Sequence, residues 1–255
     1  MRAKAIAVVT ICASLAFCAS SQARIQRSRE KDPKYQYNLG LFYLNQSDVE
    51  NATKYFVKAL SLDTNYYLAW NGLGLAHSMR GRLDESAKAY QKCLEVNPQF
   101  TEAHNNLGTV YQEMNRLDKA EEEFRKALAD LTYQNRELPY FNLARLYVFQ
   151  NRLDEALDNV QKAIQIKPRL AMAFNLRGQI YEKRNILGEA VSSYEAAVKI
   201  VPEDALFNYN LAVAYFKNGE YARSKEIFLK IQGKFTDAET KDAIARYLRL
   251  IGDRG

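Results

Sequence analysis

The chain has 255 residues, 47% of them hydrophobic, with only 11 Gly and 5 Pro. That composition supports a large folded domain or a repeat array and excludes a disordered chain. The formal net charge is +6, but acids and bases alternate in strings such as SAKAYQKCLEV and DKAEEEFRKAL. No zinc-ligand spacing, recognition helix or base-stacking motif accompanies them, which argues against nucleic acid as a partner.

Residues 1–23 read as an export signal. Arg2 and Lys4 give a basic start, Ala5 to Phe17 an apolar core, and the string CASSQA a small-residue end. The apolar stretch is shorter than the roughly 20 residues a permanent membrane helix needs. Two processing readings stand side by side. Ser21-Gln22-Ala23 fits cleavage after Ala23 and a soluble periplasmic product. Leu15-Ala16-Phe17-Cys18 fits a lipoprotein box with Cys18 as the lipidated first residue, although Phe17 stands where the box carries a small side chain. Ala19 then follows the lipidated residue, which favours the outer membrane. Cys12 and Cys18 lie in the signal, so only Cys93 certainly remains as a free thiol, and a single thiol closes no internal disulfide. Residues 24–32 form a basic linker.

From residue 33 to 236 the sequence repeats. A small residue recurs at Gly40, Gly74, Gly108, Ala144, Gly178 and Ala212, with spacings of 34, 34, 36, 34 and 34. Three positions later come Tyr43, His77, Tyr111, Tyr147, Tyr181 and Tyr215. Twelve after the small site stand Ala52, Ser86, Ala120, Ala156, Ala190 and Ser224. Four further on are Phe56, Tyr90, Phe124, Val160, Tyr194 and Phe228. Two helices cross closely only where both lack bulk, so each unit reads as a helix-turn-helix whose small residues meet at the crossing, with large aromatics beside it. Gly81, Asn115, Asn151, Asn185 and Gly219 fall between the helices, where a left-handed residue ends the first one. Asp84, Asp118 and Asp154 open the second helix at its positive dipole end. Cys93 falls where sister repeats carry Ala59, Ala127, Ala163 and Ala197, which predicts a small buried packing residue.

This pattern resembles the tetratricopeptide repeat and predicts an all-α, right-handed solenoid of six repeats, at about 33–66, 67–100, 101–136, 137–170, 171–204 and 205–236. The final exposed face of such a stack needs a lid. In residues 237–255 Ile244, Tyr247, Leu248 and Ile251 form one apolar helical stripe that supplies it. Two helices per repeat and the cap make thirteen helices.

Nothing in the pattern carries catalysis. His77 takes an aromatic position and His104 aligns with Trp70 at a packing site. No residues stand at metal-ligand spacing, no glycine-rich loop cradles phosphate, and no nucleophile pairs with a base. The expectation is a non-enzymatic scaffold with no cofactor and no small-molecule substrate.

Function then belongs to a surface. The first helices of such repeats line a concave groove. The stripe expected there is Tyr37, Leu41 and Leu44, then Asn71, Leu75 and Ser78, then Asn105, Thr109 and Gln112. It continues as Phe141, Arg145 and Val148, then Asn175, Gln179 and Glu182, then Tyr209, Val213 and Phe216. Exposed apolar stripes mark partner sites; tighter curvature that buries them against neighbouring helices is the alternative. Asn38, Asn106, Asn142 and Asn210 run beside the stripe. With Asn71, Asn105 and Asn175 they offer amides that match a peptide backbone, although Asn is also a common consensus residue at that place.

The export signal with a nearby Cys, the six repeats and the lengthened junction between the third and fourth repeats resemble the type IV pilus biogenesis and stability lipoproteins, the pilotins of the PilF, PilW and Tgl kind. The junction lies in NNLGTVYQEMNRLDKAEEEFRKALADLTYQNRELPYFNLARLY, where Asp130-Leu131-Thr132-Tyr133 leads into a polar turn. The resemblance implies an outer-membrane lipoprotein facing the periplasm, lipidated at Cys18, whose partner is a secretin subunit that it helps to assemble. A general periplasmic adaptor that recruits cell-wall enzymes is the alternative.

Overall fold

The computed structural model describes residues 28–253. The expected signal, with Cys18 and the Ala23 cleavage site, and the start of the basic linker lie outside them. After a helical turn at 28–30 come thirteen α-helices, and there is no strand among the described residues. The helices form two compact units, one up to Arg116 and one from Leu117 onward.

The first unit holds α1 (Pro33–Asn45), α2 (Val49–Leu62), α3 (Tyr67–Met79), α4 (Leu83–Val96) and α5 (Thr101–Glu113). The second holds α6 (Leu117–Ala129), α7 (Glu137–Phe149), α8 (Leu153–Ile166), α9 (Ala171–Lys183), α10 (Leu187–Ile200), α11 (Ala205–Lys217), α12 (Tyr221–Ile231) and the cap α13 (Ala238–Gly252). Within each unit, consecutive helices pack as antiparallel hairpins, as the 34-residue pattern predicts. Among the described residues no helix is long and apolar enough to cross a membrane.

Local chemistry sets the helix ends. Asp32, Asp48, Asp204 and Asp237 each accept a hydrogen bond from a backbone N–H of the first turn that follows, at 2.7 to 3.1 Å, which satisfies a donor the helix leaves orphaned. The turns inside the repeats are all built alike. Gly81, Asn115, Asn151, Asn185 and Gly219 have φ between 57° and 84°. Ser47, in the first repeat, shares that conformation with φ 60° although it is neither Gly nor Asn. In the second repeat Gly81 N–H donates to Ser78 O and Arg82 N–H to His77 O, the paired bonds that close a helix on a left-handed residue. The other five turns repeat these bonds; the carbonyl that closes the wider loop belongs to Tyr43, Tyr111, Tyr147, Tyr181 or Tyr215.

The small site has a sharper cause than two small residues meeting. A Cβ on Gly40 would lie 2.4 Å from the Phe56 ring, on Gly74 2.8 Å from Tyr90, and on Gly178 2.6 Å from Tyr194. The glycine makes room for the ring sixteen residues later. Gly72 clears the Phe56 ring in the same way, at 2.6 Å. Where the later residue is only Val160, fully buried, the small site is Ala144; the sixth repeat departs from this match, with Ala212 sharing a core with the fully buried Phe228. Each of these rings is buried to 1% exposure or less, worth about 1.5–3 kcal/mol apiece. The residue twelve after the small site does meet it: Ser86 Oγ donates to Gly74 O at 2.7 Å and Ser224 Oγ to Ala212 O at 2.8 Å.

At the entry to four of the repeats, four different residues do one job. Gln36 Nε2 donates to Glu30 O at 2.8 Å, Trp70 Nε1 to Thr64 O at 2.9 Å, and Asn208 Nδ2 to Pro202 O at 2.8 Å. His104 Nε2 lies 3.1 Å from Pro98 O; a carbonyl only accepts, so that nitrogen carries the proton. In each case the acceptor is six residues earlier, and the bond fastens the connecting loop to the helix that follows. His104 therefore does more than the packing expected of it. The lengthened junction is a loop at 130–136 where the other connections between repeats have four residues, and the preceding helix is one residue shorter than α2, α4, α8 and α10. Asp130 Oδ1 folds its start by accepting from Thr132 N–H at 2.9 Å and from the Thr132 hydroxyl at 2.6 Å.

Cys93 is fully buried, as expected, and burial pushes its thiol up to about 12.

Candidate partner-binding faces

In the first unit the expected stripe is half lost to the interior. Tyr37, Leu41 and Leu44 of α1 pack on the core around Phe56 and Leu60. The Tyr37 ring sits 5.8 Å from Phe56 and 5.6 Å from Tyr66, and burial, with Tyr66 beside it, pushes its hydroxyl up to about 12. Asn38 is exposed and Leu75 is 38% exposed. Asn71 and Asn105 are buried. Asn71 donates to Glu102 Oε1 at 3.2 Å and accepts from Asn106 Nδ2 at 3.3 Å.

In the second unit Phe141, Asn142 and Val148 of α7 are half-buried and Arg145 is exposed. Asn175 is buried and accepts from Asn210 Nδ2 at 2.8 Å. Asn71 and Asn175 thus spend their amide oxygens on the next repeat and do not form the expected peptide ladder, because a hydrogen-bond partner stands one repeat away. In the second unit Glu182 accepts from Tyr194 Oη at 2.9 Å and from Lys217 Nζ at 2.5 Å. Glu182 and Lys217 border a shallow groove of about 350 Å³ with Gln179 and Lys183.

The sixth-repeat stripe is a correction. Tyr209, Val213 and Phe216 belong to the core closed by the cap, together with Ile231, Ile244 and Ile251. Tyr209 meets Phe228 at 6.0 Å and Phe235 at 5.9 Å, and Phe216 meets Tyr247 at 5.0 Å. The apolar side chains expected to greet a partner are what the lid is built on. At their register α13 carries Asp242, Arg246 and Arg249. These line an open groove of about 790 Å³ over Leu206, Tyr209 and Phe235. Sequence reasoning missed this groove, because the cap was read only by its apolar face.

A charged cluster was also missed. Glu121 of α6, 8% exposed, accepts from Tyr147 Oη and from Arg152 Nη1, each at 2.9 Å, and pairs with Arg125. Arg152 lies over the Tyr147 ring at 4.2 Å and also pairs with Glu155, whose carboxyl it holds below the usual range. The cluster ties α6, α7 and α8 together. Its acid and bases satisfy one another, which suits a structural role. Among the described residues no group of three or more His, Cys, Asp or Glu is placed to hold a metal ion.

Paired helices, left-handed turns, rings seated over glycines and a terminal lid define a helical-repeat scaffold. Tetratricopeptide repeat models match residues 33–66, 65–132, 100–169, 183–219 and 205–238. The chain belongs to the tetratricopeptide repeat family, whose members are in general protein-interaction scaffolds. Its fold is similar to PilW, described as a widely conserved type IV pilus biogenesis factor, at 20% identity and a TM-score of 0.78, covering 84% of this chain and 98% of that one. It is similar to Pseudomonas aeruginosa PilF at 16% identity and a TM-score of 0.76, covering 86% and 99%. YrrB, a repeat protein described as having an unusual peptide-binding site, matches at 21% identity and a TM-score of 0.56, covering 75% and 97%. No curated protein matches the sequence significantly.

Proposed function

We propose that this chain is a pilotin: a periplasm-facing scaffold, anchored by a lipid on Cys18 in the outer membrane, that binds a secretin subunit and promotes assembly of the type IV pilus secretin. The observation that carries the reading is end-to-end likeness to two pilus-biogenesis proteins. Almost the whole of PilW and of PilF is covered by most of this chain, so the likeness extends over a complete set of repeats. The signal with its Cys18 box supports the same reading. Cleavage after Ala23 to a soluble periplasmic protein is the alternative processing.

The contact residues in this reading are the exposed Asn38 and Leu75 in the first unit and the exposed Arg145 in the second, with the half-buried Phe141 and Asn142 of the same helix. The mature protein is used to capture partners from envelope extracts, with a secretin subunit as the expected catch. Deleting the gene is expected to remove secretin multimers and surface pili. Intact pili with altered envelope shape would instead favour an adaptor that recruits cell-wall enzymes.

A further inference from the structure

In this fold the first helix of a repeat offers one face to the second helix of the repeat before it. In the sixth repeat Leu211, Ala214 and Tyr215 of α11 pack against Ala190, Val191 and Tyr194 of α10. At the same register Leu73 and Ala76 of α3, and Leu107 and Val110 of α5, are at most 7% exposed. Among the described residues no repeat precedes α1, and its corresponding side chains are Leu39, Phe42 and Tyr43. Phe42 is 55% exposed, against 0% for Ala76 and 1% for Val110. Tyr43 stacks on Tyr55 of α2 at 5.2 Å and 5°, and Phe42 meets Tyr43 edge-on at 5.4 Å. Lys54 Nζ lies 6.0 Å from the centre of the Tyr55 ring. The outer end of the first unit is thus a platform of three rings with a cation at its edge.

We propose that this platform rests on the surface of an anionic phospholipid bilayer; the inference builds on the outer-membrane reading above. Its chemistry is interfacial: rings with hydroxyls and a lysine prefer the headgroup region. The sequence leading into α1 carries Arg24, Arg27, Arg29 and Lys31 against Glu30, and such basic segments are drawn to anionic headgroups. From Cys18 to Pro33 is 15 residues, a reach of about 50 Å at most, which keeps α1 close to a bilayer that holds the anchor. The patch is also small. A few side chains of one helix pair fall short of the roughly 1,000 Å² of a stable protein interface, whereas a weak membrane contact is effective when added to a tether.

The test uses the chain starting at Arg24, which keeps every described residue and carries no lipid, so its result is independent of whether Cys18 is modified. The mass of the mature protein settles that separately. Co-sedimentation with vesicles of phosphatidylethanolamine and phosphatidylglycerol is compared with phosphatidylcholine vesicles. Binding to the anionic vesicles is expected, weakened by salt, with Phe42→Asp lowering it roughly tenfold while the helical spectrum and melting stay unchanged. Equal binding by wild type and Phe42→Asp would assign the attraction to the basic segment alone and overturn the platform's role. No binding by the wild type overturns it as well. Sedimentation velocity without vesicles covers the other occupant: self-association that Phe42→Asp abolishes would mean that a second copy covers the face.

Discussion

Asn210 donates its side-chain amide to Asn175 Oδ1 at 2.8 Å, across 35 residues of sequence, and Asn106 does the same to Asn71 in the first unit, also across 35. The bond joins the first helices of neighbouring repeats at a constant register. Asn175 is 8% exposed, so losing its donor leaves a nearly dry acceptor. Asn210→Ala is expected to cost about 1–3 kcal/mol. Replacing both residues with Leu is expected to cost less than the single change, because no polar atom is then stranded. Urea unfolding of the two variants beside the wild type measures both.

Gly74→Ala places a methyl group 2.8 Å from the Tyr90 ring, and overpacking of this kind costs about 1–3 kcal/mol. The fourth repeat shows the compensating pair, Ala144 with Val160. Gly74→Ala combined with Tyr90→Val should therefore be less destabilised than the two losses added. Strict additivity in the double-mutant cycle would show that glycine and ring do not compete for the same space.

Ser47 holds a φ of 60°, a conformation that costs a residue with a Cβ about 1–2 kcal/mol. Part of that returns as extra chain entropy in unfolded glycine. Ser47→Gly is expected to stabilise the protein by about 0.5–1 kcal/mol, read as a higher melting temperature. A lower one would count against the account of these turns.

His77 is the one imidazole in a position of tyrosines, and its Nδ1 is buried without a partner. Burial lowers its pKa below the usual 6.5; Glu85 opposes the shift, and Arg82 and Arg80 add to it. The folded chain therefore takes up this proton less readily than the unfolded chain. Stability is fully present above about pH 6.5 and declines as pH falls through that value toward the folded pKa. His77→Tyr should remove this part of the acid sensitivity. Chemical unfolding at a series of pH values, wild type against variant, gives the difference directly.

Phe141→Asp tests the functional reading. Phe141 is half-buried on α7, so helical content should stay native while capture of the secretin subunit is lost. Retained capture removes this helix from the contact surface.

The repeat was legible because its period, its left-handed turns and its apolar cap stripe are each written in residue types with few other uses. Five of the six turn residues announce themselves as Gly or Asn. Ser47 does not, since its conformation is imposed by the hairpin around it. The fastening bond to the carbonyl six residues back was hidden because Gln36, Trp70, His104 and Asn208 share a donor and little else. Solvent access along the stripe was the least legible. The cap stripe says that Tyr247 covers the last repeat, but register does not say that Tyr209 and Phe216 lie under it or that Phe235 returns over Tyr209.

The match between glycine and ring also limits how such a chain can be rearranged. Ala144 goes with Val160, and Gly178 with Tyr194. A recombinant that joined α7 to α10 would set the Ala144 methyl against the Tyr194 ring. One that joined α9 to α8 would leave a void over Val160. Crossovers that respect the loops at 167–170 or 201–204 carry each pair intact, so whole hairpins, not single helices, are the portable parts of this protein.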